Sequence, residues 1–258
     1  MTRTAAEIFD IDGRVAIVTG ASSGIGEHMV RVLRAGGMRV IAAARRLDRL
    51  ETLAAEAAGV VAMRCDVTDE SDLEALIAAA YEQFGRLDVV INNAGMSDAP
   101  AKAEEETAEQ FSQVVDINLN SCFLLARSAA REMIRAEEPG SIINIASVHS
   151  FVSSAPNNQA AYVASKTGLV GLTRELAGQW ARNNIRVNCI APGYFPTELT
   201  DPMMEEGSSG LNFITKRTPM RRPGKLPELD GALLLLASDA STYITGQTVT
   251  VDGGWTMQ

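Results

Sequence analysis

The 258-residue sequence predicts an α/β protein, a single domain built on a doubly wound, parallel, seven-stranded sheet. Seven short apolar runs alternate with helical segments along nearly the whole chain. Several of these runs are apolar throughout, which is typical of strands buried on both faces of a parallel sheet. The first run leads directly into a glycine-rich turn and a helix. We therefore expect right-handed crossovers that place helices on both faces of the sheet.

The predicted strands and helices follow one another without a repeat or a low-complexity tract. Strands are expected at residues 15–19, 39–44, 60–64, 87–91, 140–145, 186–190 and 248–252, and helices at 24–35, 48–57, from 69 onward, 107–136, 162–183 and 229–237. Gly36 and Gly37 end the first of these helices, and Thr107 with Gln110 forms a capping box for the long one.

Two segments fall outside this alternation. Residues 1–12 form an N-terminal extension before the first strand. Residues 194–225 are too long for an ordinary connection, and segments of this length usually form binding loops or lids. We expect this segment to be a substrate-binding loop or lid.

Composition excludes several classes of protein. The net charge is −9 and no run of Lys or Arg stands out, which argues against nucleic-acid binding. The N-terminus lacks the pattern of a signal peptide, and no apolar run is long enough to span a membrane, so we expect a cytoplasmic protein. Cys65, Cys122 and Cys189 sit singly in apolar surroundings and are expected to be reduced core thiols.

The glycine-rich turn after the first strand has the spacing Gly20-x-x-x-Gly24-x-Gly26. Strand, turn and helix N-terminus together can cradle a phosphate, because backbone N–H groups and the positive end of the helix dipole converge there. This spacing differs from Gly-x-Gly-x-x-Gly, the more familiar dinucleotide fingerprint. The alternative is that the glycines merely make a tight turn.

Tyr162 and Lys166 are four residues apart in a helical segment, so their side chains lie on one face. A nearby cation favours the phenolate and lowers the phenol's pKa from its usual value of about 10, which would make Tyr162 a general acid or base. The spacing alone is weak evidence, since an exposed lysine beside a half-buried ring gives the same pattern. Ser147 and the 92–95 stretch, Asn-Asn-Ala-Gly, end strands upstream and strengthen the catalytic interpretation.

From residue 13 to residue 254 the sequence resembles the short-chain dehydrogenase/reductase family, which has a Rossmann fold. The resemblance rests on the glycine-rich turn, Asp66, the 92–95 stretch, Asn118, Ser147, Tyr162 with Lys166, and Pro192-Gly193-x-x-x-Thr197, all in the family's order and spacing. The ending at 252–254, Asp-Gly-Gly, resembles the homotetrameric branch that includes ketoacyl-carrier-protein reductases. The resemblance implies an oxidoreductase that interconverts a ketone and a secondary alcohol with a nicotinamide cofactor.

The resemblance also implies roles for individual residues. Tyr162 would exchange the proton with the substrate oxygen, Ser147 would bind that oxygen, Lys166 would lower the tyrosine's pKa and hold the nicotinamide ribose, and Asn118 would anchor a water. The expected cofactor-binding residues are Gly20, Ser22, Ser23, Gly24, Ile25, Gly26, Arg45, Arg46, Asp66, Val67, Asn93, Ala94, Gly95, Tyr162, Lys166, Pro192, Gly193, Phe195 and Thr197. Candidate substrate residues are Met96, Ser147, His149, Tyr162 and Tyr194.

Cofactor choice depends on the residues after the second strand. Ala44 stands where an acidic residue would bind the ribose of NAD(H) and repel a 2′-phosphate. Arg45 follows it and, with a hydroxyl from Ser22, could bind that phosphate. We therefore expect NADP(H) to be preferred, with NAD(H) possible. The alternative is that Arg45 and Arg46 are solvated surface charges.

No metal site is expected, because His28 and His149 have no partner ligands at metal-binding spacing. His149 is expected to face solvent in a loop, with substrate contact as the alternative.

Three other functions fit parts of the pattern: an NAD-dependent alcohol or polyol dehydrogenase of the same family, a non-catalytic cofactor-binding relative, and a sugar-nucleotide epimerase or dehydratase. Epimerases of this kind carry a longer C-terminal substrate domain. The chemical identity of the substrate is not specified by these residues.

Overall fold

The computed structural model describes residues 2–198 and 200–257. Seven parallel strands form one sheet in the order β3-β2-β1-β4-β5-β6-β7. The strands are β1 (Val15–Thr19), β2 (Arg39–Ala44), β3 (Val60–Arg64), β4 (Val89–Asn92), β5 (Gly140–Ile145), β6 (Ile185–Pro192) and β7 (Thr248–Val251). This sheet confirms the predicted fold class.

Helices connect the strands and cover both faces of the sheet. They are α1 (Ala5–Ile8), α2 (Gly24–Ala35), α3 (Leu47–Glu56), α4 (Glu70–Phe84), α5 (Ala108–Val115), α6 (Ser121–Ala136), α7 (Ala160–Trp180), α8 (Asp201–Met204), α9 (Ser209–Arg217) and α10 (Asp230–Ala237). In the described part of the chain, no helix combines the length and apolarity that a membrane crossing requires.

Alternate residues of each central strand belong to two separate apolar cores. In β1, Ala16 and Val18 pack in the core that contains α2, α3 and α10, whereas Val15 and Ile17 pack in the core of α4, α6 and α7. Successive side chains of a strand point to opposite faces, so an uninterrupted apolar run supplies both cores. This is the physical reason for the continuous apolar pattern of the sequence.

The long helix predicted at 107–136 is interrupted. A π-helical turn, Asp116–Asn120, separates α5 from α6. Such turns insert an extra residue into a helix and are frequent at functional sites. The turn contains Asn118, one of the predicted catalytic residues, and the interruption was not predicted from the sequence.

The 194–225 segment contains more regular structure than expected. It includes α8 and α9, and Ser208 caps α9 by accepting a hydrogen bond from the backbone of Leu211. The N-terminal extension likewise contains a short helix, α1, with a capping box between Thr4 and Glu7. Leu199 lies outside the described residues.

Candidate active site

One large cavity of about 450 Å³ lies along the carboxyl ends of the strands. The strand order reverses between β1 and β4, and ligands of α/β sheets bind at such a point. The predicted site residues that line the cavity are Gly20, Ser22, Ser23, Gly24, Ile25, Gly26, Arg45, Arg46, Asp66, Val67, Asn93, Ala94, Gly95, Met96, Ser147, Tyr162, Lys166, Pro192, Gly193, Phe195 and Thr197. Asn118, His149 and Tyr194 are not part of this lining.

Two glycines of the glycine-rich turn stand where a side chain has no room. Gly20 has a φ of +65°, and a Cβ there would lie 2.8 Å from the Cα of Ala94. A Cβ on Gly26 would overlap the amide of Asn93 and the carbonyl of Gly20. The backbone at the N-terminus of α2 is therefore exposed to the cavity, as a phosphate cradle requires. The turn fits the pyrophosphate of a dinucleotide.

Asn93 ties the end of β4 to this turn. Its Nδ2 donates to the carbonyl oxygens of Thr19 at 2.9 Å and Gly20 at 3.2 Å. The Thr19 hydroxyl oxygen accepts the N–H groups of Asn93 and Ala94, both at 3.1 Å. The side-chain amide of Asn93 thus shapes the cavity wall, and direct contact between Asn93 and the cofactor stays a prediction.

Asn118 organises the segment after β4. Its Oδ1 accepts the N–H of Met96 at 2.8 Å, and its Nδ2 donates to the carbonyl of Met96 at 2.9 Å and to Ser165 Oγ at 3.1 Å. Asn118 is completely buried. These bonds use both ends of the amide, so the side chain of Asn118 positions Met96 and α7, and the water proposed for Asn118 stays a prediction.

Tyr162 and Ser147 meet at the cavity. A hydrogen bond with Ser147 lowers the pKa of Tyr162, but burial has the larger effect and raises this pKa above its usual value. Asp98 acts in the same direction as burial. The Ser147 oxygen accepts the N–H of His149 at 3.2 Å, so its single hydroxyl proton can be donated either to Tyr162 or to a substrate oxygen that takes its place.

Lys166 is buried below the tyrosine. Its Nζ donates to the carbonyl of Ile145 at 2.7 Å and lies 5.9 Å from the centre of the Tyr162 ring. Burial lowers the pKa of Lys166. The bond to Ile145 fixes the ammonium near the ring of Tyr162, and its effect on the pKa of Tyr162 stays a prediction.

His149 does not face solvent, which corrects the sequence-based expectation. It is only 7% exposed, in a short 3₁₀ turn, and its Nε2 lies 3.2 Å from the hydroxyl of Tyr194. Its ring contacts those of Tyr162 and Tyr194 edge to face, at 6.3 and 5.9 Å between centroids. Burial lowers the pKa of His149, which favours the neutral ring. The ring of Tyr194 also packs against that of Trp255, with 4.8 Å between the ring centroids.

The arginines after β2 differ from the prediction in one respect. Ser22 pairs with Arg46, which donates to Ser22 Oγ at 3.0 and 3.1 Å, and to Ser23 Oγ at 2.8 Å. Arg46 also forms an ion pair with Glu198 at 2.9 Å. Arg45 is exposed and lines the cavity. Arg46, which precedes α3, is thus closer to the glycine-rich turn than the sequence suggested.

Sequence reasoning missed several residues of the site. Asn144 donates to Thr173 and accepts from Asn92, both at 2.8 Å, which links β4, β5 and α7 beneath the cavity. Glu198 and Thr200 line the cavity from the 194–225 segment. Asn144 lies within an apolar strand, and a polar residue there was a usable signal, because a buried amide needs partners.

The cysteines and histidines form no metal site. Cys65, Cys122 and Cys189 are free and buried, and burial raises their pKa values, to about 12 for Cys65 and about 11 for Cys189. His28 instead pairs with Asp230 at 2.7 Å. Within residues 2–198 and 200–257, no group of three His, Cys, Asp or Glu side chains is placed to hold a metal ion.

Comparisons with known proteins cover almost the whole chain. A family model described as "Enoyl-(Acyl carrier protein) reductase" matches residues 20–256. The chain is similar to gluconate 5-dehydrogenase of Gluconobacter oxydans, with 35% identity over 255 residues, 97% of this chain and 98% of that protein. It is 37% identical over 252 residues to galactitol 2-dehydrogenase (L-tagatose-forming) of Cereibacter sphaeroides, covering 97% and 98%.

Solved structures agree with this relationship. A short-chain type dehydrogenase/reductase from Mycobacterium marinum has a TM-score of 0.94 at 34% identity, covering 99% of this chain and 100% of that one. A gluconate 5-dehydrogenase from Burkholderia cenocepacia J2315, solved in complex with NADP and tartrate, has a TM-score of 0.90 at 33% identity, covering 99% and 100%. Since the fold, the cavity and these relatives agree over nearly the full length, the chain belongs to the short-chain dehydrogenase/reductase family of oxidoreductases.

Proposed function

We propose that this protein is an NADP(H)-dependent oxidoreductase that interconverts a ketone and a secondary alcohol, with Tyr162 as the proton donor and acceptor. The observation that carries the proposal is that the Tyr162 and Ser147 hydroxyl groups meet in the same cavity as the glycine-rich turn. Carbonyl reduction needs one group that delivers a proton to the oxygen and another that stabilises the developing charge. Tyr162 and Ser147 are suited to these two tasks.

The bound nicotinamide supplies or accepts the hydride, and the protein's own residues handle the proton and the orientation. In the reductive direction Tyr162 is protonated and donates, whereas in the oxidative direction its phenolate accepts the alcohol proton. Ser147 donates to the substrate oxygen, since its own oxygen already accepts the N–H of His149. Lys166 provides a fixed positive charge beneath the ring of Tyr162.

The preference for NADP(H) is supported by two observations. Ala44 provides no carboxylate that would repel a 2′-phosphate, and the cavity beside it is lined by Arg45, Arg46, Ser22 and Ser23. The gluconate 5-dehydrogenase of Burkholderia cenocepacia was solved with NADP. An NAD-dependent enzyme would instead show equal or higher kcat/KM with NAD(H).

A polyhydroxylated substrate is the class that we propose. Relatives named for gluconate and galactitol act on such compounds. Next to Tyr162, the neutral His149 can accept a hydrogen bond from the hydroxyl of Tyr194, whose oxygen then remains free to accept one from a substrate hydroxyl. The experiment is to follow nicotinamide absorbance with sugar acids, polyols and simple ketones. Activity confined to apolar ketones would contradict this substrate class.

Complete absence of turnover with intact cofactor binding would favour a non-catalytic cofactor-binding protein. The intact set of Ser147, Tyr162 and Lys166 argues against that function. An epimerase would convert a sugar nucleotide without net change in nicotinamide absorbance, and the fit of the relatives over the chain's full length argues against it.

Closure of the 194–225 segment over the ligands is part of the proposal. Its residues Phe195, Thr197, Glu198 and Thr200 line the cavity, so movement of the segment would change access to it. Hydrogen exchange at these residues should slow when NADP⁺ and a substrate analogue are both bound. Unchanged protection would contradict closure.

We also propose a cytoplasmic homotetramer. Helices 110–136 and 159–183 are the expected pairing surfaces, with the C-terminal tail as a second contact, and two isologous patches give D₂ symmetry. Phe111 and Phe123 are partly exposed on the first surface, at 38% each, and Met257 on the tail at 76%. The three free, buried cysteines are compatible with a reducing compartment. Light scattering that reports a stable monomer would contradict the tetramer.

A further inference from the structure

Glu198 forms an ion pair at the place where the cofactor's 2′-phosphate is expected. Its carboxylate accepts from Arg46 Nη1 at 2.9 Å and also pairs with Arg49. The side chain of Glu198 is 48% exposed. Its bonds to Arg49 and Arg46 lower the pKa of Glu198 to about 2, so the group is a carboxylate throughout the physiological range.

The position of this cluster follows from the fold. Arg46 stands two residues beyond the end of β2, and Ser22 and Ser23 belong to the glycine-rich turn. A dinucleotide site brings the adenosine ribose to the end of this second strand. Arg46 bridges the strand end and the turn, so its guanidinium lies where the substituent of the ribose 2′-oxygen has to be bound.

The guanidinium of Arg46 cannot serve Glu198 and a phosphate fully at the same time. A guanidinium carries five N–H groups. Four hydrogen bonds from Arg46 are already made, to Ser22 twice, to Ser23 and to Glu198. A 2′-phosphate added here would also lie close to a carboxylate of like charge, which is unfavourable. The two anions therefore compete for the guanidinium of Arg46.

We propose that Glu198 is an internal competitor of the 2′-phosphate: it occupies the cationic site while the cofactor is absent and is displaced when a 2′-phosphorylated dinucleotide binds. The inference rests on the proposed preference for NADP(H). It assigns to Glu198 a role in cofactor specificity, because the cost of displacing the carboxylate is paid only by the phosphorylated cofactor. NAD(H), which lacks the phosphate, leaves the ion pair in place.

Displacement of Glu198 also connects the adenosine end of the site with the 194–225 segment. Thr197, the preceding residue, packs against the glycine-rich turn, since a Cβ on Gly24 would lie 3.1 Å from its side chain. Thr197 is further held by Thr200, whose hydroxyl accepts its N–H at 3.0 Å. Release of the Glu198 carboxylate therefore loosens the start of the 194–225 segment, which borders the substrate end of the cavity.

The test measures cofactor binding without turnover. NADPH and NADH are titrated into the wild type, Glu198→Gln and Glu206→Gln, and cofactor fluorescence gives each dissociation constant. Glu206→Gln is the control, because it removes the same charge from an exposed position in the same segment. We expect Glu198→Gln to tighten NADPH binding about 2- to 30-fold, the range that two exposed ion pairs contribute. NADH affinity should remain unchanged in this variant, and Glu206→Gln should alter neither affinity.

A double-mutant cycle with Arg46→Ala isolates the effect of the Arg46–Glu198 interaction on NADPH affinity. In the Arg46→Ala background, Glu198→Gln should have a much smaller effect on NADPH affinity, because the contested guanidinium is gone. The inference would be overturned if Glu198→Gln left NADPH affinity unchanged or weakened it. It would also be overturned if Glu198→Gln raised NADH affinity as much as NADPH affinity, or raised NADPH affinity equally in the Arg46→Ala background. Since no substrate is present, failure of the proposed reaction would appear only in turnover assays and not in these affinities.

Discussion

Lys166 Nζ donates a hydrogen bond to the carbonyl oxygen of Ile145 at 2.7 Å. Ile145 ends β5, and Lys166 lies in the first half of α7, so this bond joins the helix to the carboxyl edge of the sheet. Lys166 is only 5% exposed. The ammonium is therefore held at a fixed place beneath Tyr162, and its position does not depend on a ligand.

Replacement of this lysine should affect both binding and chemistry. We expect Lys166→Ala to weaken cofactor binding and to lower kcat about 10²-fold or more, because the fixed charge beside the proton-carrying group is lost. The carbonyl of Ile145 also loses its partner, at about 1–3 kcal/mol of unfolding free energy, so stability has to be measured in parallel. Fluorescence titration and steady-state kinetics provide the measurement. An unchanged cofactor Kd with a normal pH profile would contradict the double role.

Tyr162→Phe removes one oxygen and should abolish turnover. We expect kcat to fall about 10²- to 10⁴-fold, the usual contribution of a general acid or base, with cofactor Kd nearly unchanged. Tyr243→Phe is the matched control, because Tyr243 is fully exposed. Retention of more than a few per cent of kcat by Tyr162→Phe would exclude it as the proton carrier.

Ser147→Ala tests how the pKa of Tyr162 is set. Burial raises the pKa of Tyr162 and the bond with Ser147 lowers it, so removal of the hydroxyl should raise it further. Alcohol oxidation needs the phenolate. Its kcat/KM should consequently rise with pH, and in Ser147→Ala this rise should shift to higher pH, together with a lower plateau. A pH profile with the wild-type midpoint would show that Ser147 does not tune the tyrosine.

Much of the architecture was predictable because its causes are local. The short, mainly apolar runs that became β1 and β5 are buried on both faces, as is typical of strands in a parallel sheet. The glycines at 20, 24 and 26 were informative for a similar reason, since Gly20 and Gly24 have positive φ and Gly26 lies against Asn93. These constraints act within one turn or one strand and can be read from neighbouring residues.

The parts that were not predicted depend on contacts between distant segments. Glu198 meets Arg46 from more than 150 positions away in the sequence, and the local sequence of neither residue indicates the partner. His149 was expected in solvent because histidines in polar loops usually are. Its burial results from packing against Tyr194 and Tyr162, which the fold brings together from two other elements.

The same packing argument gives a prediction for the glycine-rich turn. Gly26→Ala would place a methyl group against the Asn93 amide and the Gly20 carbonyl, and the turn would have to move. We expect loss of cofactor binding and a decrease in unfolding free energy of roughly 1–3 kcal/mol. Gly231→Ala in α10 is the control, since a Cβ there meets nothing within 4 Å. Wild-type cofactor affinity in Gly26→Ala would show that the turn tolerates the methyl group.

The buried His149 should make stability depend on pH in the mildly acidic range. Burial holds the pKa of His149 in the folded state below its usual value of 6.5, so below that pH the unfolded chain binds the proton more readily than the folded one. The stability contributed by the neutral ring is therefore fully present above about pH 6.5 and is lost as the pH falls towards the folded-state pKa, with a slope of at most about 1.4 kcal/mol per pH unit.

Comparison of the His28→Gln single variant with the His28→Gln/His149→Gln double variant removes the chain's other histidine from both proteins. Urea unfolding at one protein concentration, from about pH 7.5 to about pH 5.5, gives the free energies. We expect the protein that keeps His149 to lose stability relative to the double variant as the pH falls, because glutamine takes up no proton. A difference that stays constant over this range would mean that His149 has the same pKa in the folded and unfolded states, and that burial does not favour its neutral form.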